Sequence, residues 1–145
     1  MTATPPPVPD GLELRRVDLD GLDVAYLADP TADSDAPLAV LLHGFPDAAT
    51  TWRHLLPALT AAGFRAVAPW LRGYAPTAVP ADGLYQVGAL ARDACLLHDA
   101  LGGDERAVVV GHDWGAMATY AAAGWQPERW RRAVTMAVPP AGAMF

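Results

Sequence analysis

Short apolar runs separated by polar turns define the first part of the chain. Apolar and polar positions alternate over residues 12–19 and 22–28, on either side of Asp20 and Gly21. This dipeptide suits a tight hairpin, because both positions tolerate a positive φ. Residues 37–42 are an unbroken apolar run, which is typical of a strand buried on both faces. The pattern predicts an antiparallel pair followed by a buried parallel strand.

Helical spacing alternates with short apolar runs along the rest of the chain. Apolar residues recur at helical intervals over 50–63, where Thr50 or Thr51 is expected to cap the helix and Gly63 to end it. The remaining predicted elements are strands at 64–69, 107–111 and 132–138, a helix at 85–103, and a helix after Asp113. This alternation predicts an α/β fold, a mostly parallel sheet with helices on both faces.

Composition places the chain among globular proteins. Its 145 residues are 52% hydrophobic and 18% charged, which is sufficient for one domain with a sizeable core. Prolines at positions 5, 6, 7 and 9 predict an extended tail over residues 1–10, which leaves residues 11–145 as the domain. The single cysteine, Cys95, excludes an internal disulfide and is interpreted as a buried structural thiol among apolar neighbours.

Charge and hydropathy argue against two classes of partner. The net charge is −6, and the densest basic group, Arg129, Arg131 and Arg132, is short and is interpreted as solvated, so no nucleic acid is expected to bind. The first residues lack the basic start and apolar segment of a signal peptide, and no apolar run is long enough to span a bilayer. We therefore predict a cytoplasmic protein without a membrane partner.

Two loops that follow predicted strands contain the candidate chemistry. They read HGFP at 43–46 and GHDWG at 111–115, and ligand sites of parallel α/β sheets lie at the carboxyl ends of the strands. Gly111 and Gly115 flank Asp113 and allow a sharp strand-to-helix turn without a Cβ clash, as in a nucleophile elbow. Asp113 as a simple helix N-cap is the alternative, but an N-cap requires neither the flanking glycines nor the second loop.

From about residue 12 onward, the chain resembles the N-terminal part of an α/β-hydrolase of the epoxide hydrolase and haloalkane dehalogenase group. The resemblance depends on the joint order of HGFPD, Trp52-Arg53, GFRAVAP, LRGY, VVVGHDWGA and QPERW. It implies that Asp113 attacks a saturated carbon of a small-molecule epoxide or alkyl halide and forms an ester. It also implies an oxyanion hole formed by the backbone N–H groups of Phe45 and Trp114, without a cofactor or metal.

The chain departs from the family pattern after Asp113. In this family the catalytic acid and histidine follow the nucleophile, whereas all four histidines precede Asp113 and no Asp, Glu or His follows Glu128. We therefore expect an α/β-hydrolase fold truncated before the cap and the C-terminal strands. Trp70 also stands where relatives commonly have aspartate.

Three interpretations follow from these features. The first is a hydrolase of the epoxide hydrolase type, incomplete in this chain. The second is a haloalkane dehalogenase-like hydrolase, since the Trp114 indole is suited to hold a halide, although Phe45 offers no side-chain donor. The third is an inactive hydrolase-like fragment, which the missing histidine favours.

Overall fold

The computed structural model describes residues 7–140 and residue 142, and six strands form a single sheet. The strands are β1 (Glu13–Leu19), β2 (Leu22–Ala28), β3 (Leu38–Leu42), β4 (Arg65–Pro69), β5 (Val108–His112) and β6 (Arg132–Met136). The helices are α1 (Leu55–Ala61), α2 (Val87–Ala100) and α3 (Trp114–Trp125), with 3-10 turns at Ala49–His54 and Pro127–Arg129. Residues 1–6 of the expected tail lie outside the described residues, and residues 7–10 contain no helix or strand.

The strand order is β1-β2-β4-β3-β5-β6. β1 and β2, and β2 and β4, are antiparallel, whereas β3 pairs in parallel with both β4 and β5, and β5 with β6. The predicted mostly parallel sheet with an antiparallel opening pair is therefore confirmed. Because β3 and β5 are parallel neighbours, the loops that follow them emerge side by side.

The opening hairpin turns at the predicted dipeptide. Asp20 has φ 56° and Gly21 has φ 89°, and Leu19 pairs with Leu22 across the turn. The N–H of Gly21 donates to the carboxylate of Asp18 at 3.0 Å. The predicted two-residue turn is confirmed.

Helices cover both faces of the sheet, and strand alternation separates two apolar layers. Val24 and Tyr26 face the layer that contains α2 and α3, while Ala25 and Leu27 face the layer that contains Trp52 and α1. The buried strands β3 and β4 contribute to both layers, as expected for strands covered on both sides. The prediction of helices on both faces is confirmed.

The start of the helix predicted over 50–63 differs from expectation. A 3-10 turn begins at Ala49, the residue before it is Ala48, and no side chain caps either this turn or α1. The predicted cap at Thr50 or Thr51 is wrong, because both threonines lie inside the 3-10 turn. Gly63 has φ 85° and follows α1, as predicted for a helix end. Among the described residues, no helix has the length and apolar content needed to cross a membrane.

Candidate active site

A sharp turn at Asp113 connects β5 to α3. Asp113 has φ 55° and ψ −116°, a backbone conformation that side-chain-bearing residues rarely adopt. Hydrogen bonds hold it there: its N–H donates to the carbonyl of Met136 at 3.1 Å, and its carbonyl accepts from the N–H groups of Ala116 and Met117 at 3.0 and 3.2 Å. The turn places the Asp113 side chain at the N-terminus of α3.

Three glycines make room for this turn. A Cβ at Gly111 would lie 2.1 Å from the carbonyl oxygen of Gly115, and a Cβ at Gly115 would lie 2.0 Å from the carbonyl oxygen of Leu42. Both contacts are far inside van der Waals distance, and both are with backbone that cannot rotate away. The reason predicted for the two glycines is therefore confirmed.

Gly44 is the third glycine, and sequence reasoning missed it. A Cβ at Gly44 would lie 2.4 Å from the Cβ of Asp113. Its only signal in the sequence is its position just after the strand that pairs with the elbow strand. Glycine at this position allows the loop after β3 to reach the elbow side chain.

The Asp113 carboxylate accepts a hydrogen bond from the loop after β3. The backbone N–H of Phe45 donates to Oδ1 of Asp113 at 2.8 Å. This bond, followed by the N–H of Trp114, lowers the pKa of Asp113 below its ordinary value. The structure thus brings together the three residues expected to form the site, with an ionised carboxylate facing the two expected N–H groups.

A family model for the α/β hydrolase fold matches residues 37–144. The matched range includes most of the chain and contains both loops of the site. The chain belongs to the α/β-hydrolase fold family.

Several relatives of this chain are named epoxide hydrolases. Epoxide hydrolase B of Mycobacterium tuberculosis is 41% identical over 123 residues, which are 84% of this chain and 34% of that protein. The crystal structure of epoxide hydrolase A from Mycobacterium thermoresistibile superimposes with a TM-score of 0.81 at 37% identity, over 89% of this chain and 40% of that one. An epoxide hydrolase from an endophytic Streptomyces gives the same TM-score at 39% identity. The chain spans about a third of the length of the M. tuberculosis relative.

His43 joins two loops of the site. Its ring is fully buried, Nε2 accepts from the N–H of Leu71 at 3.1 Å, and Nδ1 lies 2.9 Å from the carbonyl of Gly44, to which it donates in the tautomer that these partners require. Burial lowers the pKa of His43, so the ring is neutral. His43 therefore orients the two loops by hydrogen bonds.

An open apolar pocket of about 330 Å³ lies beside the elbow. Phe45 and Trp114 border it, with side chains that are 66% and 48% exposed. Tyr74 also lines it and stacks edge-on against His43 at 4.7 Å. Burial, and then the charge of Asp113, raises the pKa of Tyr74 and keeps its hydroxyl neutral. The pocket therefore offers aromatic surface next to a charged carboxylate.

Other side chains singled out in the sequence lie away from the site. Cys95 is buried and its pKa is raised by that burial, so the structure agrees with an inert thiol. Trp52 is buried, and Trp70 is a core residue of the α1 face. Trp125, the last residue of α3, is 58% exposed.

Proposed function

We propose that Asp113 is the nucleophile of an epoxide-opening reaction. The observation that carries the proposal is the hydrogen bond from the Phe45 N–H to one oxygen of a carboxylate held at a strained elbow. A lowered pKa keeps this carboxylate charged at neutral pH, so no base has to activate it. The names of the relatives support an epoxide as the electrophile.

In the first step, Oδ2 of Asp113 attacks one carbon of the epoxide ring. The new carbon–oxygen bond replaces the ring carbon–oxygen bond, and the released alkoxide takes a proton from solvent or from an acid. The product is a neutral ester with a neighbouring hydroxyl group. Oδ1, which accepts from Phe45, becomes the carbonyl oxygen of that ester.

The same N–H groups serve the hydrolysis of the ester. Attack of water on the ester carbon moves negative charge onto Oδ1, the atom that the Phe45 N–H already contacts. The proposal for this chain covers binding, ester formation and oxyanion stabilisation. All four histidines precede Asp113 in the sequence, and none donates to or accepts from its carboxylate in the described part of the chain.

Residues 11–145 are proposed to be the part of a hydrolase domain that contains the nucleophile and the oxyanion hole. The family match over 37–144 and the superposition over 89% of the chain support this assignment. The substrate is proposed to be an uncharged small molecule, because the pocket beside Asp113 is lined mostly by aromatic and aliphatic side chains and its one cationic side chain, Arg72, is paired with Asp93.

Covalent labelling tests the proposal. The protein is incubated with styrene oxide, and intact-mass and peptide mass spectrometry locate the ester. We expect one adduct at Asp113 in the unmodified protein and none in Asp113→Asn. The matched control, Asp20→Asn, should retain the adduct at Asp113. Equal labelling of the unmodified protein and Asp113→Asn would contradict the assignment.

An alkyl halide is the second candidate substrate. The observation that favours it is the half-exposed Trp114 at the pocket, which has an indole N–H suited to a halide. Phe45 supplies only its backbone N–H to the elbow. Chloride release from a chloroalkane, without labelling by styrene oxide, would favour this second function.

A further inference from the structure

Tyr85 forms part of the wall of the pocket that Phe45 and Trp114 also line. Its side chain lines the same apolar space and is 41% exposed. It lies just before α2, far in sequence from both loops of the elbow. An exposed tyrosine side chain usually exchanges among rotamers. Tyr85 can limit the size of the pocket only if its neighbours restrain the ring.

The first restraint is the backbone of Gly73. Gly73 has φ 89°, and a Cβ there would lie 3.2 and 3.3 Å from ring carbons Cε1 and Cδ1 of Tyr85. The ring therefore lies directly against the glycine backbone. Any side chain at position 73 would have to displace the ring, and the positive φ would add strain.

The second restraint is a clamp on the peptide before Tyr85. The carbonyl of Leu84 accepts from Nη1 of Arg72 at 2.6 Å, and the N–H of Leu84 donates to Asp82 at 2.9 Å. Arg72 is itself fixed, because Nε and Nη2 donate to the two carboxylate oxygens of Asp93 on α2 at 2.6 and 2.7 Å. The wall is thus anchored to the body of α2.

The same hydrogen bonds occupy the guanidinium of Arg72. Its side chain is 2% exposed, and all three nitrogens of its guanidinium already donate to Asp93, Leu84 and Asp82. Although Arg72 borders the pocket, its guanidinium is already paired with protein groups and is not available to pair with a ligand. Because Arg72 is not available to a ligand, we expect this side of the pocket to select ligands by steric fit against the ring of Tyr85.

We propose that Tyr85 is a specificity-determining residue, whose fixed ring limits the size of the substituent on the epoxide. The choice of an epoxide as substrate rests on the proposed function, whereas the shape of the pocket does not depend on it. Removal of the ring opens the pocket toward solvent and admits a larger group. Gly73 and Arg72 are positioning residues for this wall.

The kinetic test compares two epoxides in the full chain. The rate of labelling at Asp113 is measured for butylene oxide and for naphthyloxirane, and the large-to-small rate ratio is compared among variants. We expect Tyr85→Ala to raise the ratio about tenfold, since a pocket of changed size discriminates by roughly this amount. Tyr85→Phe keeps the ring and should leave the ratio unchanged, as should Trp125→Ala, which removes an exposed aromatic outside the pocket.

Gly73→Ala gives an independent check, because the new methyl group shifts the ring by a few tenths of an ångström without removing it. We expect it to raise the ratio in the same direction as Tyr85→Ala. An unchanged ratio in Tyr85→Ala, in a protein with an unchanged circular dichroism spectrum, would overturn the proposal. An equal rise in Trp125→Ala would also overturn it.

A binding measurement separates this inference from the proposed reaction. Phenylethanediol and naphthylethanediol have no epoxide ring and cannot form the ester, so an NMR titration measures their affinities whether or not Asp113 is a nucleophile. We expect Tyr85→Ala to favour the naphthyl compound relative to the unmodified protein. If Asp113 is not labelled but the affinity shift is observed, only the proposed nucleophile is overturned. If Asp113 is labelled but the affinities do not shift, only the proposed role of Tyr85 is overturned.

Discussion

Asp20 and Asp113 have nearly the same backbone φ, 56° and 55°, but occupy very different places. Asp20 lies in the opening hairpin with a side chain that is 68% exposed and pairs with Arg92. A Cβ added at the adjacent Gly21 would meet nothing within 4 Å. At the elbow, a Cβ at Gly115 would lie 2.0 Å from the backbone of Leu42.

The comparison shows that a positive φ alone does not identify a reactive residue. Both aspartates lie in sharp turns of the chain, and aspartate tolerates a positive φ in ordinary turns. What differs is the environment of the carboxylate. Asp20 faces solvent and an exposed arginine side chain, whereas Asp113 faces backbone N–H groups of the loop after β3 and the start of α3.

The strongest test of the comparison is crowding at the elbow. We expect Gly115→Ala to destabilise the fold by about 3 kcal/mol or more, because the new methyl group would overlap backbone that only a shift of β3 or α3 relieves. Urea unfolding followed by circular dichroism measures the change.

Two glycines provide matched controls for this change. Gly124 lies near the other end of α3 with nothing within 4 Å of its added Cβ, so Gly124→Ala is expected to stabilise by up to about 1 kcal/mol. Gly21→Ala meets no neighbour but keeps φ 89°, and should cost about 1 kcal/mol of strain. A cost at Gly115 no larger than that at Gly21 would mean that crowding does not distinguish the elbow from the hairpin.

Acid titration tests the electrostatic half of the comparison. The N–H of Phe45, then that of Trp114, lowers the pKa of Asp113, so the folded chain releases this proton at lower pH than the unfolded chain. The stabilisation is present above the unfolded pKa of about 3.9 and is lost as the pH falls through the folded pKa. A carbon-13 NMR titration of the Asp113 carboxyl should give a midpoint below that of the urea-denatured chain.

A titration midpoint of Asp113 in the folded chain at or above that of the denatured chain would mean that the backbone N–H groups do not stabilise its carboxylate. Phe45→Ala serves as the control, because the donor is a backbone N–H and the substitution removes only the exposed ring. The lowered midpoint should survive that substitution.

Local patterns predicted much of the fold and the centre of the site. The Asp20-Gly21 hairpin, the buried strands and the elbow at Asp113 each depend on neighbouring residues, so their signals are contiguous in the sequence. The cap at Thr50 or Thr51 failed because the chain enters a 3-10 turn one residue earlier, at Ala49. Polar residue type alone does not set where a helix begins.

The parts that the sequence did not predict depend on partners distant in the chain. Gly44 is required because Asp113, 69 residues later, approaches it, and the ring of Tyr85 lies against Gly73, 12 residues earlier. Arg72 and Asp93 are separated by 21 residues and meet only because α2 packs back on the sheet. None of these pairs has a repeating or contiguous pattern, so only the folded arrangement identifies them.

The smallest expected effect concerns the partner of Asp20. Arg92 and Asp20 form an ion pair whose side chains are 42% and 68% exposed. We expect Arg92→Ala to cost less than about 1 kcal/mol in urea unfolding, because water screens exposed pairs and ordering two long side chains offsets their attraction. Salt should reduce even this difference, whereas labelling of Asp113 should be unaffected, since the elbow carboxylate depends on backbone donors. A cost close to that of Gly115→Ala would mean that the hairpin turn is as strongly constrained as the elbow, and the distinction between the two aspartates would then rest on reactivity alone.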